Sequence, residues 1–255
     1  MSHFQCLKTW KASTDPNYEV KARRVNELYA IAAGKTEPGQ NDPQVIICFD
    51  EFGPLNLVPH PGHQWAPAAT GAGDQAAPRR RRRRATYKRP HGVRHLLATY
   101  DLSTDKLYGH VKPRKRRTEF LTFMRYLRSL HPMEQRLGII MDNYSPHLST
   151  ATDPRVGAWA AADNVELAYT PYYSSWLNHI EPQFTGLRYF ALDGTDHPSH
   201  REQGSMIRRY IAWRNNHAAD PTLCQVIRRA SLTKQAKLTW HSTSNGLGVS
   251  HNQPH

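Results

Sequence analysis

The chain has 255 residues, enough to bury one sizeable core, and a formal charge of +13. Charge this clustered and this basic sets aside an evenly solvated surface and points to a polyanionic partner, nucleic acid first, because each phosphate neutralised by Lys or Arg releases counterions. Cys6, Cys48 and Cys224 form no CxxC pair, which sets aside a zinc ribbon or a disulfide framework and fits a reducing cytosol; no apolar run is of transmembrane length, and the N-terminus lacks a signal peptide's apolar core.

Residues 1–40 read as a polar linker and one helix. Glu19 to Ala33 places Val25, Leu28, Tyr29 and Ala32 at helical spacing, and Gly34 and Pro38 end it. Val45 to Phe49 is a continuous apolar run rich in β-branched residues, the pattern of a strand buried on both faces. Gly53-Pro54 reads as a turn and Leu55 to Pro59 as a returning strand. Pro61 to Pro78 reads as a loop, and Gly92 to Tyr100 and Lys106 to Val111 as a hairpin across Ser103-Thr104-Asp105.

Phe120, Phe123, Met124, Leu127 and Leu130 mark an amphipathic helix with Thr118 as its N-cap. Leu137 to Met141 is the next buried strand. Asp153-Pro154 reads as an N-cap followed by proline at the first helical position, with Val156, Trp159 and Ala160 facing inward. Val165 to Tyr169 is a strand. Ile180, Phe184 and Leu187 then fall on one helical face, and Ser205 to Asn215 forms a further helix with Met206, Tyr210 and Trp213 as packing residues. The tail after Ala230 is polar and expected to be loosely ordered.

Three acids stand at element ends. Asp50 closes the first apolar run, Asp142 closes Leu137 to Met141, and Glu181 lies near the start of a helix. Strand, strand and helix, each offering one carboxylate, can hold two divalent cations. An all-carboxylate set without a cysteine cluster fits Mg²⁺ or Mn²⁺ better than zinc. Each acid alone has an ordinary reading as a strand-end or helix-start residue. Glu51, next to Asp50, points to the opposite strand face and is read as structural or supporting.

Two basic blocks are candidate DNA contacts. The first is Arg79, Arg80, Arg81, Arg82, Arg83 and Arg84, with Lys88, Arg89 and Arg94 behind it. The second is Lys112, Arg114, Lys115, Arg116 and Arg117. Trp176 and Tyr173 are candidates for stacking on an unpaired base, with core packing as the competing reading.

Taken as a set, certain motifs identify a family resemblance: Phe49-Asp50-Glu51-Phe52-Gly53-Pro54, Trp65-Ala66-Pro67, Ala85-Thr86-Tyr87, His91-Gly92-Val93-Arg94, Asp142-Asn143 with His147, and Trp176-Leu177-Asn178-His179-Ile180-Glu181. The chain resembles transposases of the IS630 group, within the Tc1/mariner superfamily. That resemblance implies an α/β, ribonuclease H-like fold: a five-stranded mixed sheet flanked by helices, with first and fourth strands adjacent. It implies a catalytic domain over residues 41–217, followed by a basic polar tail over 218–255. Asp50, Asp142 and Glu181 become the metal-binding catalytic triad, supported by Glu51, Asn143, His147 and Asn178.

The implied activity is Mg²⁺- or Mn²⁺-dependent cleavage and strand transfer of double-stranded DNA. The DNA partners are the element's terminal inverted repeats and a target. A homodimer on DNA and a bacterial, nucleoid-associated cytoplasmic location follow. No end-reading helix-turn-helix is visible, so one is expected on a separate chain; the alternative is a catalytically inactive DNA-binding transposase relic. A ribonuclease H-like nuclease with another substrate is a third reading. Three features depart from the family: a longer spacing between Asp142 and Glu181 with its excess near Ser149 to Arg155, His179 where proline is frequent, and proline directly after Glu181.

Overall fold

A computed structural model describes residues 13–57, 89, 91–193, 195 and 197–244, with 233–244 traced by their backbone alone. The chain divides into two compact units, one of residues 1–53 and 95–180, the other of residues 54–94 and 181–255.

In the first unit, β1 (Val45–Leu55), β2 (Arg94–Asp101), β3 (Lys106–Lys112), β4 (Leu137–Met141) and β5 (Val165–Tyr169) form one sheet in the order β3-β2-β1-β4-β5. β2 and β3 are antiparallel, whereas β1–β4 and β4–β5 are parallel. The mixed sheet with β1 beside β4 is the ribonuclease H-like arrangement expected. β4 and β5 have the bounds their apolar runs predict, and all five β4 residues are buried. β1 departs from expectation: it continues through Gly53-Pro54 to Leu55 without a turn, and the part of the expected Leu55 to Pro59 strand after Leu57, like the Pro61 to Pro78 loop, lies outside the described residues. The β2–β3 connection is fixed by Asp101, whose carboxylate accepts from the Ser103 and Thr104 amides, and Asp105 adopts φ 51°.

Side chains alternate across the strands, and each face has its own cover. Val45, Ile47, Phe49, Leu137, Ile139 and Met141 pack with α2 (Arg117–Arg128) and α3 (Arg155–Ala162) through Phe120, Phe123, Met124, Leu127, Val156 and Trp159. The opposite face meets α1 (Tyr18–Ala32), whose Val25 and Leu28 are fully buried. On that face a Cβ at Gly138 would lie 2.9 Å from the Pro43 ring, so only glycine lets the preceding loop lie against β4.

The N-termini of α2 and α3 correct two expectations. Thr118 lies inside α2, whose cap position is Arg116, and Pro154 rather than Asp153 is the cap position of α3; neither helix has a side-chain cap. Asp153 pairs with Arg117 and Arg155, and its Oδ1 also accepts from the Arg155 amide at 3.3 Å. The additional residues near Ser149 close on themselves, the Thr150 and Asp153 amides each donating to the other's carbonyl.

The second unit contains α4 (Glu181–Leu187), a π-helical turn Arg188–Leu192, α5 (His200–Asn216) and α6 (Pro221–Ser244). Phe184 and Leu187 are buried as read. α5 begins earlier than predicted, and Gln203, Gly204, Ile207, Tyr210 and Arg214 form its buried side, with Met206 and Trp213 partly exposed. α6 continues as helix where a loose tail was expected. Gly186 admits α5: a Cβ there would lie 2.7 Å from the Tyr210 hydroxyl, itself buried without a hydrogen-bond partner among the described residues. No helix among the described residues is long and apolar enough to cross a membrane.

Candidate active site

The β1–β4 register is constant from Val45↔Leu137 to Cys48↔Ile140. Continued by two residues, it sets Asp50 level with Asp142. Partners in a parallel ladder sit about 4.8 Å apart and point to the same side. Both acids are partly exposed: Asp142 directly follows β4, at the end where open parallel sheets bind ligands, whereas Asp50 lies midway along the longer β1.

After β4 the chain makes a short 3-10 turn, Ser145–His147, that returns an imidazole to the strand end. The ring nitrogens of His147 lie 2.8 Å from Asp142 Oδ1 and 2.9 Å from Glu51 Oε1. Its side chain is 0% exposed and packs edge-on to Phe49. Burial alone would lower the His147 pKa, but the hydrogen bonds from Asp142 and Glu51 outweigh it and raise it from 6.5 to about 9. The imidazolium form donates to both carboxylates. Burial likewise opposes ionisation of Asp142, and the His147 hydrogen bond, with help from the Tyr144 amide and Lys115, still holds its pKa below the usual value.

Glu51 thus faces away from Asp50, as strand alternation requires, yet joins Asp142 through the ring between them. Sequence reasoning gave Glu51 and His147 separate supporting roles and missed this link. The spacing of His147 from Asp142 was the available signal; Glu51 as its other partner is a tertiary fact.

Asn143 is occupied structurally: its side-chain amide donates to the Thr170 carbonyl and its Oδ1 accepts from Lys21 Nζ at 3.2 Å. Lys21 also pairs with the buried Asp15 at 2.7 Å. Asn178 is buried; its Nδ2 donates to the Phe49 carbonyl at 2.8 Å, immediately before Asp50, and its Oδ1 accepts from Ile180 N. It thus ties the turn before α4 to β1.

Glu181 is the first residue of α4 and belongs to the second unit. Pro182 follows in the first helical turn, where a missing N–H removes no intrahelical bond. Among the described residues no group of three or more His, Cys, Asp or Glu side chains is gathered to hold a metal ion. The structure brings together Asp142, His147 and Glu51, with Asp50 the neighbour of Glu51 on β1. The donor chemistry of its two leading acids, hard carboxylate oxygens without sulfur, suits Mg²⁺ or Mn²⁺.

Of the predicted DNA contacts, Arg79 to Arg84 and Lys88 lie outside the described residues, as do the motifs Trp65-Ala66-Pro67 and Ala85-Thr86-Tyr87. Arg89, Arg114 and Arg116 are exposed, Lys112 and Arg94 partly so. Lys115 Nζ sits 4.2 Å from the centre of the Tyr144 ring. Arg117 is engaged within the fold, with Asp153 and the Ser145 and Leu148 carbonyls. Tyr173 is 61% exposed, whereas Trp176 is partly buried.

Three solved structures with a similar fold are complexes of the Mos1 mariner transposase. The paired-end complex with Mn shares 17% identity, covers 92% of this chain and 68% of that chain, and has a TM-score of 0.53. The paired-end complex with the left transposon end (16%, 92% and 67%, 0.52) and that with Mg (16%, 92% and 67%, 0.50) are alike. At this identity the likeness shows the fold. No curated protein sequence matches. The family model described as DDE superfamily endonuclease matches residues 45–202, a span that holds the whole sheet, Asp50, Asp142 and Glu181. By that match the chain belongs to the DDE superfamily endonucleases.

Proposed function

We propose that the chain is the catalytic domain of a DNA transposase of the IS630 group, cutting donor DNA at an element's ends and joining the freed 3′-hydroxyl to a target. The observation that carries this reading is the parallel pairing of β1 with β4, whose last pair, Cys48↔Ile140, stands two residues before Asp50 and Asp142 within a family-matched ribonuclease H-like sheet. Asp50, Asp142 and Glu181 are the proposed metal ligands. Two bound Mg²⁺ or Mn²⁺ ions would activate the attacking oxygen, stabilise the leaving oxygen and screen developing charge. Asp50 is the acid that would be shared between them. His147 fixes the orientation of Asp142 through Oδ1 and holds Glu51 Oε1 with its other ring nitrogen. The complexes of Mos1 mariner transposase with Mn, with Mg and with paired transposon ends agree with divalent metal, DNA ends and a dimer as partners.

Lys112, Arg114, Lys115, Arg116, Arg89 and Arg94, together with the Arg79–Arg84 run, are the proposed phosphate contacts. Terminal inverted repeats and target duplex are the proposed substrates. The proposed setting is a bacterial, nucleoid-associated cytoplasm. The test is strand cleavage on an inverted-repeat duplex with Mg²⁺ or Mn²⁺. Nicks at the repeat ends are expected; duplex binding with no cleavage under either cation would make the inactive relic the better account.

A further inference from the structure

α1 precedes the family-matched region, yet one of its side chains reaches the segment that leads into Glu181. The Tyr29 hydroxyl donates to the Leu177 carbonyl at 2.6 Å and accepts from the His179 amide at 3.2 Å. It also lies 3.5 Å from Cys48 Sγ, two residues before Asp50 on β1. The Tyr29 ring stacks on the His179 imidazole, with centroids 3.7 Å apart and planes 10° from parallel. Asn178, between those two anchored residues, is bonded to the Phe49 carbonyl. Three consecutive residues, Leu177, Asn178 and His179, are therefore held at four points, one on β1 and three on a single tyrosine.

We infer that Tyr29 is a positioning residue that fixes the Leu177–Ile180 turn on β1 and so sets where Glu181 begins its helix. This rests on the proposed role of Glu181 as a metal ligand. The argument is geometric. Glu181 follows Ile180 directly, so rotation of the turn carries its Cα with it. A ligand carboxylate must be held within about half an ångström of its productive place. His179 is what makes this clamp available: a proline there would have no N–H to give the Tyr29 hydroxyl and no planar ring to stack. Tyr29 and His179 act as one unit.

The test uses the full chain and two readouts, backbone amide exchange and Mn²⁺ titration followed by thermal unfolding. Tyr29→Phe keeps the ring stack and removes only the hydroxyl. Exchange across 177–181 should accelerate roughly tenfold, and the Mn²⁺ concentration for half-maximal stabilisation should rise by about tenfold, the usual effect of removing a residue that orients a metal ligand. His179→Pro should do the same. Exchange and Mn²⁺ response both unchanged in Tyr29→Phe would overturn the inference. Faster exchange with an unchanged Mn²⁺ response, when Glu181→Gln weakens that response, would also overturn it, because the clamp would then be structural alone. An unchanged Mn²⁺ response in Glu181→Gln itself would instead sink the parent reading of Glu181 and leave only the exchange result to judge the clamp.

Discussion

The two ends of the parallel strands handle charge differently. At the amino-terminal ends, Arg24 of α1 bonds Glu166 through two nitrogens at 2.7 and 2.8 Å and Asp42 at 2.9 Å, with Arg136 at 4.0 Å from Glu166. Guanidinium groups keep their charge at any pH a protein survives, so those acids are neutralised permanently. At the carboxyl ends, the partner shared by Glu51 and Asp142 is an imidazole, buried and removable in charge. One end is a staple between α1 and the sheet. The other holds carboxylates aligned without committing a fixed positive charge to them, the condition a cation site requires.

Substitution at the carboxyl-terminal end should break this contrast most severely. Asp50→Asn and Asp142→Asn should each reduce strand cleavage by roughly 10³-fold or more, since metal stabilisation of transition-state charge is worth several kcal/mol. Full activity in either variant, measured on an inverted-repeat duplex, would remove that residue from the metal site. Next is the buried ring. His147→Leu leaves Glu51, whose side chain is 6% exposed, without its imidazolium partner. Breaking one side of such a pair costs about 3–5 kcal/mol, and adding Glu51→Gln should recover part of it in denaturant titrations. A double variant no more stable than His147→Leu would show that the pair is not coupled.

The third prediction concerns pH. The His147 pKa, lowered by burial but raised more by its hydrogen bonds to Asp142 and Glu51, is about 9 when folded against 6.5 for the free side chain. A raised folded pKa adds stability that is fully present below the unfolded value and is lost as pH rises through the folded one. Stability of the chelator-treated protein should therefore fall between roughly pH 6.5 and 9, with Glu51, Asp142 and nearby Lys115 setting the midpoint, and His147→Gln should flatten that window. An identical slope in the variant would place the titration elsewhere. The smallest effect belongs to the opposite strand ends. Arg24→Ala should lower stability by about 1 kcal/mol or less, less still at high salt, and leave cleavage unchanged. A large cleavage defect there would erase the distinction between the two ends.

What the sequence disclosed follows the same physics. β4 was legible to the residue as a continuous uncharged run, and β5 as a short apolar segment broken only by Glu166. Asp50 and Asp142 were legible because each ends such a run. The continuation of β1 past Gly53-Pro54 was not, since local turn signals there yield to the sheet. α6 was missed because residues after Ala230 show no apolar stripe to announce a helix. The His147 link to Glu51 and the Tyr29 contacts with residues 177–179 join distant positions, and spacing along a single chain cannot encode such pairs. Glu181 was legible as the start of a helix, with Pro182 marking its first turn.

Gly186 and Tyr210 carry a consequence for how this protein can change over generations. Alanine at 186 would restore roughly 1 kcal/mol of helix propensity to α4, but its methyl would meet the tyrosine oxygen at 2.7 Å. Phenylalanine at 210 would remove that oxygen, a buried hydroxyl without a partner among the described residues, at little or no loss. The two substitutions are thus harmful in one order and favourable in the other: the path through phenylalanine first is open, and the path through alanine first is blocked. A lineage that retains the tyrosine is held at glycine by a neighbour on another helix.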